Sequence, residues 1–421
     1  MGNVPFSVAA RYWLRLGCIS FGGPAGQIAL LHRELVHQRR WIDDATFGRA
    51  LDFCMLLPGP EALQLAIYLG WRLHGTRGGV IAGLCFVLPA ALLLLALSWV
   101  YLRYGEVAGV SSVLSGLKAV VVALIAQALV RLSRRALRGA VPVALAVGAF
   151  VGLHWLGTPF PLLLAFAAIV GAVALRGDAV AHGPGPGAAG DAANPARRER
   201  GAFAHLGAWL AIGLALWALP WLAIPALDAE FAAPLYLFFT QAALVTFGGA
   251  YAVLGYVNQQ LVEVYGWLTP AHVVAGLALA ETTPGPLVLV LQFYGFVTGW
   301  TQPGALGPLG GGVAGAVLAS WATFLPSFVL ILGAAPYVER LTANPRLAGA
   351  LAGITAAVVG AIASLAVAVA VAVLWPDGGG FDYRSAGIAL LAFTLLLRTR
   401  LDVVWVLLLG AALGGLGALA G

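Results

Sequence analysis

The chain has 421 residues, of which 61% are hydrophobic and 10% charged, against about 25% charged residues in soluble domains. A mean hydropathy of +0.93 excludes a soluble enzyme and points to an all-α polytopic membrane protein. The formal charge of +6 is carried almost wholly by arginine, since Lys118 is the only lysine. That balance suits anionic lipid or an anionic substrate, although membrane topology alone explains much of it.

The first apolar stretch is interrupted by Arg11 and Arg15, so no cleavable leader is expected and the first helices should persist. Phe21-Gly22-Gly23-Pro24 follows, then Arg33, Arg39, Arg40 and Trp41. After Asp43 and Asp44 comes Leu57-Pro58-Gly59-Pro60, set inside an apolar segment and followed by Arg72. Pro58 and Pro60 lack a backbone N–H and restrict the residues before them, so no continuous helix passes through. Each of the two segments has charges at both ends and two apolar pieces of roughly a dozen residues, too short to span singly. The pattern predicts re-entrant helical hairpins with tips at 22–24 and 58–60; the alternative is a pair of kinked spanning helices. Irregular backbone at membrane depth is tolerated only where it is buried or lines a polar cavity. Spanning or near-spanning runs follow at 78–100, 116–130, 140–153 and 159–175. A Gly- and Pro-rich stretch at 177–200, ending in Arg197-Arg198-Glu199-Arg200, reads as a flexible linker. One more apolar segment lies at 203–224.

The order then repeats. Phe21-Gly22-Gly23 recurs as Phe247-Gly248-Gly249, Trp41 as Trp267, Pro58-Gly59-Pro60 as Pro284-Gly285-Pro286 and Tyr68 as Tyr294, all 226 residues apart. Leu88-Pro89 recurs as Leu325-Pro326 and Gly116 as Gly353, both 237 apart, which fits an insertion near 301–312. This is a tandem duplication. Arg33, Arg39, Arg40, Arg72 and Arg77 fall on uncharged Gln259, Tyr265, Gly266, Thr298 and Pro303. Arg131, Arg134, Arg135 and Arg138 have no basic counterparts near 368–375, whereas Arg340 and Arg346 occupy a loop whose first-half partner holds only Arg103. Positive loops mark the cytoplasmic side, so the two copies are expected to have inverted topology. The expected division is 1–176 for the first repeat, 177–202 for a cytoplasmic linker, 203–230 for a connecting helix and 231–421 for the second repeat.

Half-helices that start at a break present free N–H groups and a positive dipole end, which suits an anion. Breaks at corresponding places in two halves point to a transport site near the midplane. The candidate binding residues are therefore Phe21, Gly22, Gly23, Pro24, Gln27, Pro58, Gly59, Pro60, Glu61 and Gln64 in the first copy. In the second they are Phe247, Gly248, Gly249, Glu281, Thr282, Thr283, Pro284, Gly285, Pro286 and Gln292. Amides after Gly23, Pro60, Gly249 and Pro286, with nearby hydroxyls, should hold a tetrahedral oxyanion without metal or cofactor. Glu61 and Glu281 are the carboxylates nearest the breaks. An acid at mid-membrane costs about 3 kcal/mol on insertion scales, so these could carry a coupling proton; the alternative is helix capping. Lys118 falls on uncharged Thr355 and could complement substrate charge in one half only, or snorkel. Arg39-Arg40-Trp41 reads as an interfacial anchor. The three cysteines and seven histidines show no metal-ligand spacing. No phosphate-binding GxxxxGK[ST] loop is present, and nucleic-acid binding is not expected.

These motifs resemble the chromate ion transporter family in its long, two-domain form. The resemblance lies in Phe21-Gly22-Gly23-Pro24, Arg39-Arg40-Trp41, Leu57-Pro58-Gly59-Pro60 with Gln64 and Gly70, Phe247-Gly248-Gly249 and Thr283-Pro284-Gly285-Pro286, in the same order over nearly the whole chain. It implies a multi-pass protein of the bacterial inner membrane, with N-terminus and linker cytoplasmic, exporting chromate at the expense of the proton motive force. Its partners would be a chromate- or sulfate-like oxyanion, protons and the lipid bilayer; a homodimer is compatible with it. The anion would bind between opposed tips while the two inverted halves rock. The rivals are a sulfate transporter, a passive channel and a membrane enzyme acting on a lipid phosphate. The tips are poor in the Ser, His and Arg such an enzyme needs.

Overall fold

The computed structural model describes residues 4–175, 195–247, 250–337, 345–376, 379–399 and 401–419. Gly248, Gly249, Arg340 and most of the expected linker lie outside the described residues. All regular structure among the described residues is helical, in keeping with the all-α expectation. The first copy consists of α1 (Phe6–Ile19), α2 (Gly23–His32), α3 (Asp44–Met55), α4 (Glu61–Tyr104), α5 (Ala108–Ala136), α6 (Ala140–His154) and α7 (Phe160–Ala174). Helix α8 (Pro195–Ala223) connects it to α9 (Ala232–Leu244), α10 (Ala250–Asn258), α11 (Pro270–Thr282), α12 (Val290–Thr301), α13 (Gly307–Ala334), α14 (Pro345–Leu374), α15 (Tyr383–Arg398) and α16 (Val403–Leu419). Among the described residues five helices are long and apolar enough to cross a membrane, those containing α4, α5, α8, α13 and α14.

Positions 226 residues apart share local backbone chemistry. Asp43 caps α3 by accepting the Thr46 amide at 2.8 Å, and Thr269, 226 residues later, caps α11 by accepting the His272 amide at 3.2 Å. The Thr46 amide and hydroxyl hold the Asp43 carboxyl below its ordinary value. A widened, π-type turn ends α2 at Arg33–Gln38, and its counterpart ends α10 at Gln259–Val264. Positive φ follows each, at Arg40 (53°) and Gly266 (64°). Beside Arg40, the Arg39 guanidinium lies 4.7 Å from the Tyr12 ring and 5.1 Å from Trp41, a cation–π anchor on both rings.

Two features depart from a simple reading of apolar runs. Helix α4 covers 44 residues but breaks at His74 and Gly75, the latter with φ 63° and ψ −157°. Its first part thus ends as α12 does at Thr301, and its second part matches α13. Helix α1, with 14 residues, is about 21 Å long at 1.5 Å per residue, short of a hydrocarbon core of about 30 Å.

Packing interleaves the copies. Helix α5 of the first packs on α15 and α16 of the second, and α14 of the second packs on α6 and α7 of the first. The crossings rest on small residues. The faces of Gly116 and Gly414 press together beside Gly410, and those of Gly353 and Gly171 press together beside Ala167. Without a hydrophobic force between helices in lipid, such close backbone approach supplies the association. Helices α1–α4, α9, α12 and α13 form a second body, with α4 against α12 and α13. The two bodies meet where α11 lies on α5 and α10 on α14. A rocking of one sequence copy against the other would tear both glycine crossings.

Candidate functional site at two crossed helix breaks

The second body is held at its centre by the breaks themselves. Gly59 takes φ 132° between two prolines, and its N–H donates to the Thr246 carbonyl at 2.7 Å. Gly285 takes φ 110°, and its N–H donates to the Ser20 carbonyl at 2.8 Å. Each Pro-Gly-Pro tip therefore pairs with the break that ends the first helix of the other copy, Ser20 and Thr246 being 226 apart. Glycine is required at both tips. A Cβ on Gly59 would lie 2.5 Å from Ser327 Oγ and 2.6 Å from Gln64 Nε2, and one on Gly285 would strike Ala90 Cβ. Ser327 of α13 and Ala90 of α4 are themselves counterparts, 237 apart. The crossing is symmetric in backbone, but the atom a Cβ would strike is a hydroxyl at Gly59 and a methyl at Gly285.

Most nearby polar side chains are engaged internally. Gln64 Nε2 donates to Pro58 O at 2.7 Å. Gln27 Nε2 donates to Ser20 O at 3.1 Å and also to Gly285 O. Gln292 Nε2 reaches Ala91 O at 2.8 Å, and its Oε1 accepts from Ser320 at 3.2 Å. The hydroxyls of Thr282 and Thr283 bond back to Leu279 O at 2.8 and 2.7 Å, and that of Thr246 to Ala242 O at 2.6 Å. Those threonine protons, expected to face a ligand, are turned into their own helices.

Of the nine buried side-chain polar atoms without a partner among the described residues, four belong to residues at the two breaks: Ser20 Oγ, Ser327 Oγ, Gln27 Oε1 and Gln64 Oε1. Their residues are at most 1% exposed. Buried polar groups are almost always satisfied, so a group of orphans marks the place of water or a ligand. Backbone donors adjoin them. Pro60 precedes α4, and the first bond back to its carbonyl comes from Gln64 N at 2.9 Å. The amides of Glu61, Ala62 and Leu63 thus have no acceptor within the helix. Leu287 and Val288 are placed likewise behind Pro286.

Charged groups flank the crossing unequally. Glu281 is buried in the last turn of α11 and accepts from the Tyr251 hydroxyl of α10. Glu61 begins α4, half-buried, within the field of Arg135. Arg135 also donates to Met55 Sδ at 3.9 Å, and Arg131 acts on Tyr251. Met55 and Leu287 are the counterparts of Glu281 and Glu61, so each copy brings one acid. A Cβ on Gly22 would lie 4.0 Å from Oδ1 of Asp402, the residue before α16. Phe21, Gly23, Pro24, Pro58 and Phe247 are half-buried around these turns, with Pro60, Pro284 and Pro286 buried. Lys118 stands apart, half-buried and acting on His272 at the opposite end of α11.

Ser327, Tyr251, Arg131 and Arg135 escaped the sequence reading. Ser327 lies in a different helix from the motifs, and the two arginines read as loop charges until α5 carries them alongside the tip. The Tyr251 signal was present, a lone hydroxyl in an apolar run five residues after Thr246. Among the described residues no three His, Cys, Asp or Glu side chains gather where they could hold a metal ion.

A family model described as "Chromate transporter" matches residues 8–172 and 233–416, the two stretches that hold α1–α7 and α9–α16. The "Chromate transport protein" of Pseudomonas aeruginosa is 33% identical over 82% of this chain and 76% of its own length. That of Cupriavidus metallidurans is 30% identical over 82% and 77%. The "Probable chromate transport protein" of Synechococcus elongatus is 31% identical over 82% and 79%. No solved structure matches the chain.

Proposed function

The chain belongs to the chromate transporter family, and on that premise we propose that it is a secondary active transporter exporting chromate, driven by the proton motive force. The observation that carries this reading is the crossing of Gly59 and Gly285 with the opposite copy's breaks, where buried polar atoms stand unpaired. Free amides behind Pro60 supply positive potential to the anion without a full charge in the membrane. Arg131 and Arg135, exposed at the end of α5, raise the local concentration of a dianion at the entrance. Glu281, hydrogen-bonded by Tyr251, takes the coupling proton, with Glu61 the second acid.

The bacterial inner membrane is the site of action, with N-terminus and linker cytoplasmic and the second copy inverted relative to the first. Because glycine crossings bind α5 and α14 to the other copy's last helices, the moving unit is the body that carries the tips, sliding against the six-helix body. Expression in a chromate-sensitive bacterium lacking its own exporter tests the proposal. Growth on chromate with lowered intracellular chromium is expected. Unchanged chromium in cells holding membrane-inserted protein would contradict it, and sulfate accumulation would redirect it to sulfate.

A further inference from the structure

We infer that Gln27 fastens the second copy's tip to the first copy's break, and that the unfastened crossing at Gly59 is the one that parts when the site opens. This rests on the transport proposal and gives its two crossings a fixed and a moving role. It makes Gln27 a positioning residue rather than a ligand of the anion.

The fastening is a closed set of bonds. The Gly285 N–H donates to the Ser20 carbonyl at 2.8 Å. Gln27 Nε2 donates to that same carbonyl at 3.1 Å and also to the carbonyl of Gly285. An amide nitrogen carries two protons and a carbonyl oxygen two lone pairs, so these bonds use both protons of Gln27 and both lone pairs of Ser20 O. The amide orientation follows, because both partners are carbonyls and can only accept. Gln27 is 1% exposed, so the set lies away from bulk water. It grips Gly285 on both sides of its Cα, through the N–H and through the carbonyl, and so pins the φ of 110°. Glu281, Thr282 and Thr283 lead directly into this tip and are positioned with it.

The other crossing lacks the part. Position 253, 226 residues after Gln27, is Val253, wholly buried and without a polar side-chain atom. The Gly59 N–H donates to Thr246 O at 2.7 Å. Among the described residues no side-chain hydrogen bond joins Thr246 to the Gly59 tip. The nearest amide, Gln64, bonds Pro58 O of its own tip, and the Thr246 hydroxyl turns back to Ala242 O. One backbone bond therefore holds the first tip, where three bonds hold the second. Local opening begins where the fewest bonds must break.

Thiol labelling of the full chain, with the free cysteines Cys18, Cys54 and Cys85 replaced by alanine, tests this. Ser20→Cys reports on the fastened crossing and Thr246→Cys on its counterpart. Both positions are buried, and a thiol reacts as its thiolate, so N-ethylmaleimide applied to membranes reads water reaching each site. Thr246→Cys is expected to label at least about tenfold faster than Ser20→Cys, the worth of one hydrogen bond near 1.4 kcal/mol. Gln27→Leu should raise Ser20→Cys to the rate of Thr246→Cys and leave the latter unchanged, a selectivity that general loosening of the fold would not produce. Val253→Gln puts the same amide at the other crossing; it should protect Thr246→Cys and slow chromate uptake. In uptake, Gln27→Leu should change the maximal rate and leave the half-saturating chromate concentration as it was. Equal labelling of the two thiols in the otherwise unaltered chain overturns the inference. So does unchanged labelling in Gln27→Leu with a raised half-saturating concentration, which would make Gln27 a ligand. If Gln27→Leu does not fold, the two thiols compared with Gln27 in place decide. The expected labelling without chromate uptake sinks the transport reading alone; chromate uptake with equal labelling sinks this inference alone.

Discussion

Replacing Gly59 by alanine probes the crossing at its most constrained atom. The residue holds φ 132°, outside the regions open to L side chains. That conformation costs a non-glycine residue about 1–3 kcal/mol. The added Cβ lies 2.5 Å from Ser327 Oγ and 2.6 Å from Gln64 Nε2. Ser327 can rotate away, but Gln64 is tied to the Pro58 carbonyl, and moving it forfeits a bond of about 1 kcal/mol. If the backbone relaxes instead, the Gly59 N–H leaves Thr246 O at similar cost. The expected loss is about 2–5 kcal/mol. Gly148→Ala is the control, because a Cβ there meets nothing within 4 Å and the residue lies inside α6; it should be neutral or stabilising by about 0.5–1 kcal/mol. Thermal unfolding of the detergent-purified variants reads the difference. Gly59→Ala unfolding together with Gly148→Ala would refute the crossing as described.

Three further outcomes follow from other contacts. Gly353→Leu forces a side chain into the backbone of Ala167 and Gly171; it should cost at least about 3 kcal/mol by overpacking and leave little folded protein by size-exclusion analysis, whereas a normal monodisperse yield contradicts the interleaved packing. Tyr251→Phe removes the hydroxyl that bonds Glu281 and should shift the pH at which uptake is half-maximal while leaving the unfolding temperature nearly unchanged; an unaltered pH profile removes Tyr251 from proton handling. Asp43 has a folded pKa below its unfolded value, so its stabilisation is full above the unfolded value and disappears as pH falls through the folded one. Asp43→Ala should therefore cost about 1 kcal/mol at neutral pH and nothing in strong acid, and a deficit that persists undiminished in acid would show that the cap is not its source.

The sequence made the duplication and the breaks legible because both depend on local backbone rules. Proline without an N–H and glycine at positive φ announce Pro58-Gly59-Pro60 and Gly22-Gly23 wherever they occur. The partners of those breaks were not legible, since nothing local ties Gly59 to Thr246 or Gly285 to Ser20. Ser327 was hidden for the same reason: it directly follows the repeated Leu325-Pro326, but nothing local brings it to Gly59. The interleaving of α5 and α14 was hidden too: a glycine such as Gly116 marks a close approach without naming its neighbour. The break at His74 and Gly75 falls between Arg72, where the Pro-Gly-Pro segment was read to end, and the apolar run from 78, so charge marked the place even though α4 runs through it. Thr282 and Thr283 had the right chemistry for a ligand, but hydroxyls in the last turn of a helix find the carbonyl four residues back sooner.

Chromate accumulation in everted membrane vesicles, with and without a proton gradient, bears most directly on the transport proposal. Export from the cell becomes uptake in this geometry, so gradient-dependent accumulation against a concentration difference is expected, with Glu281→Gln abolishing the dependence on the gradient. Equal chromate inside and outside in energised vesicles that contain folded protein would contradict active export and leave a passive pore or a different substrate.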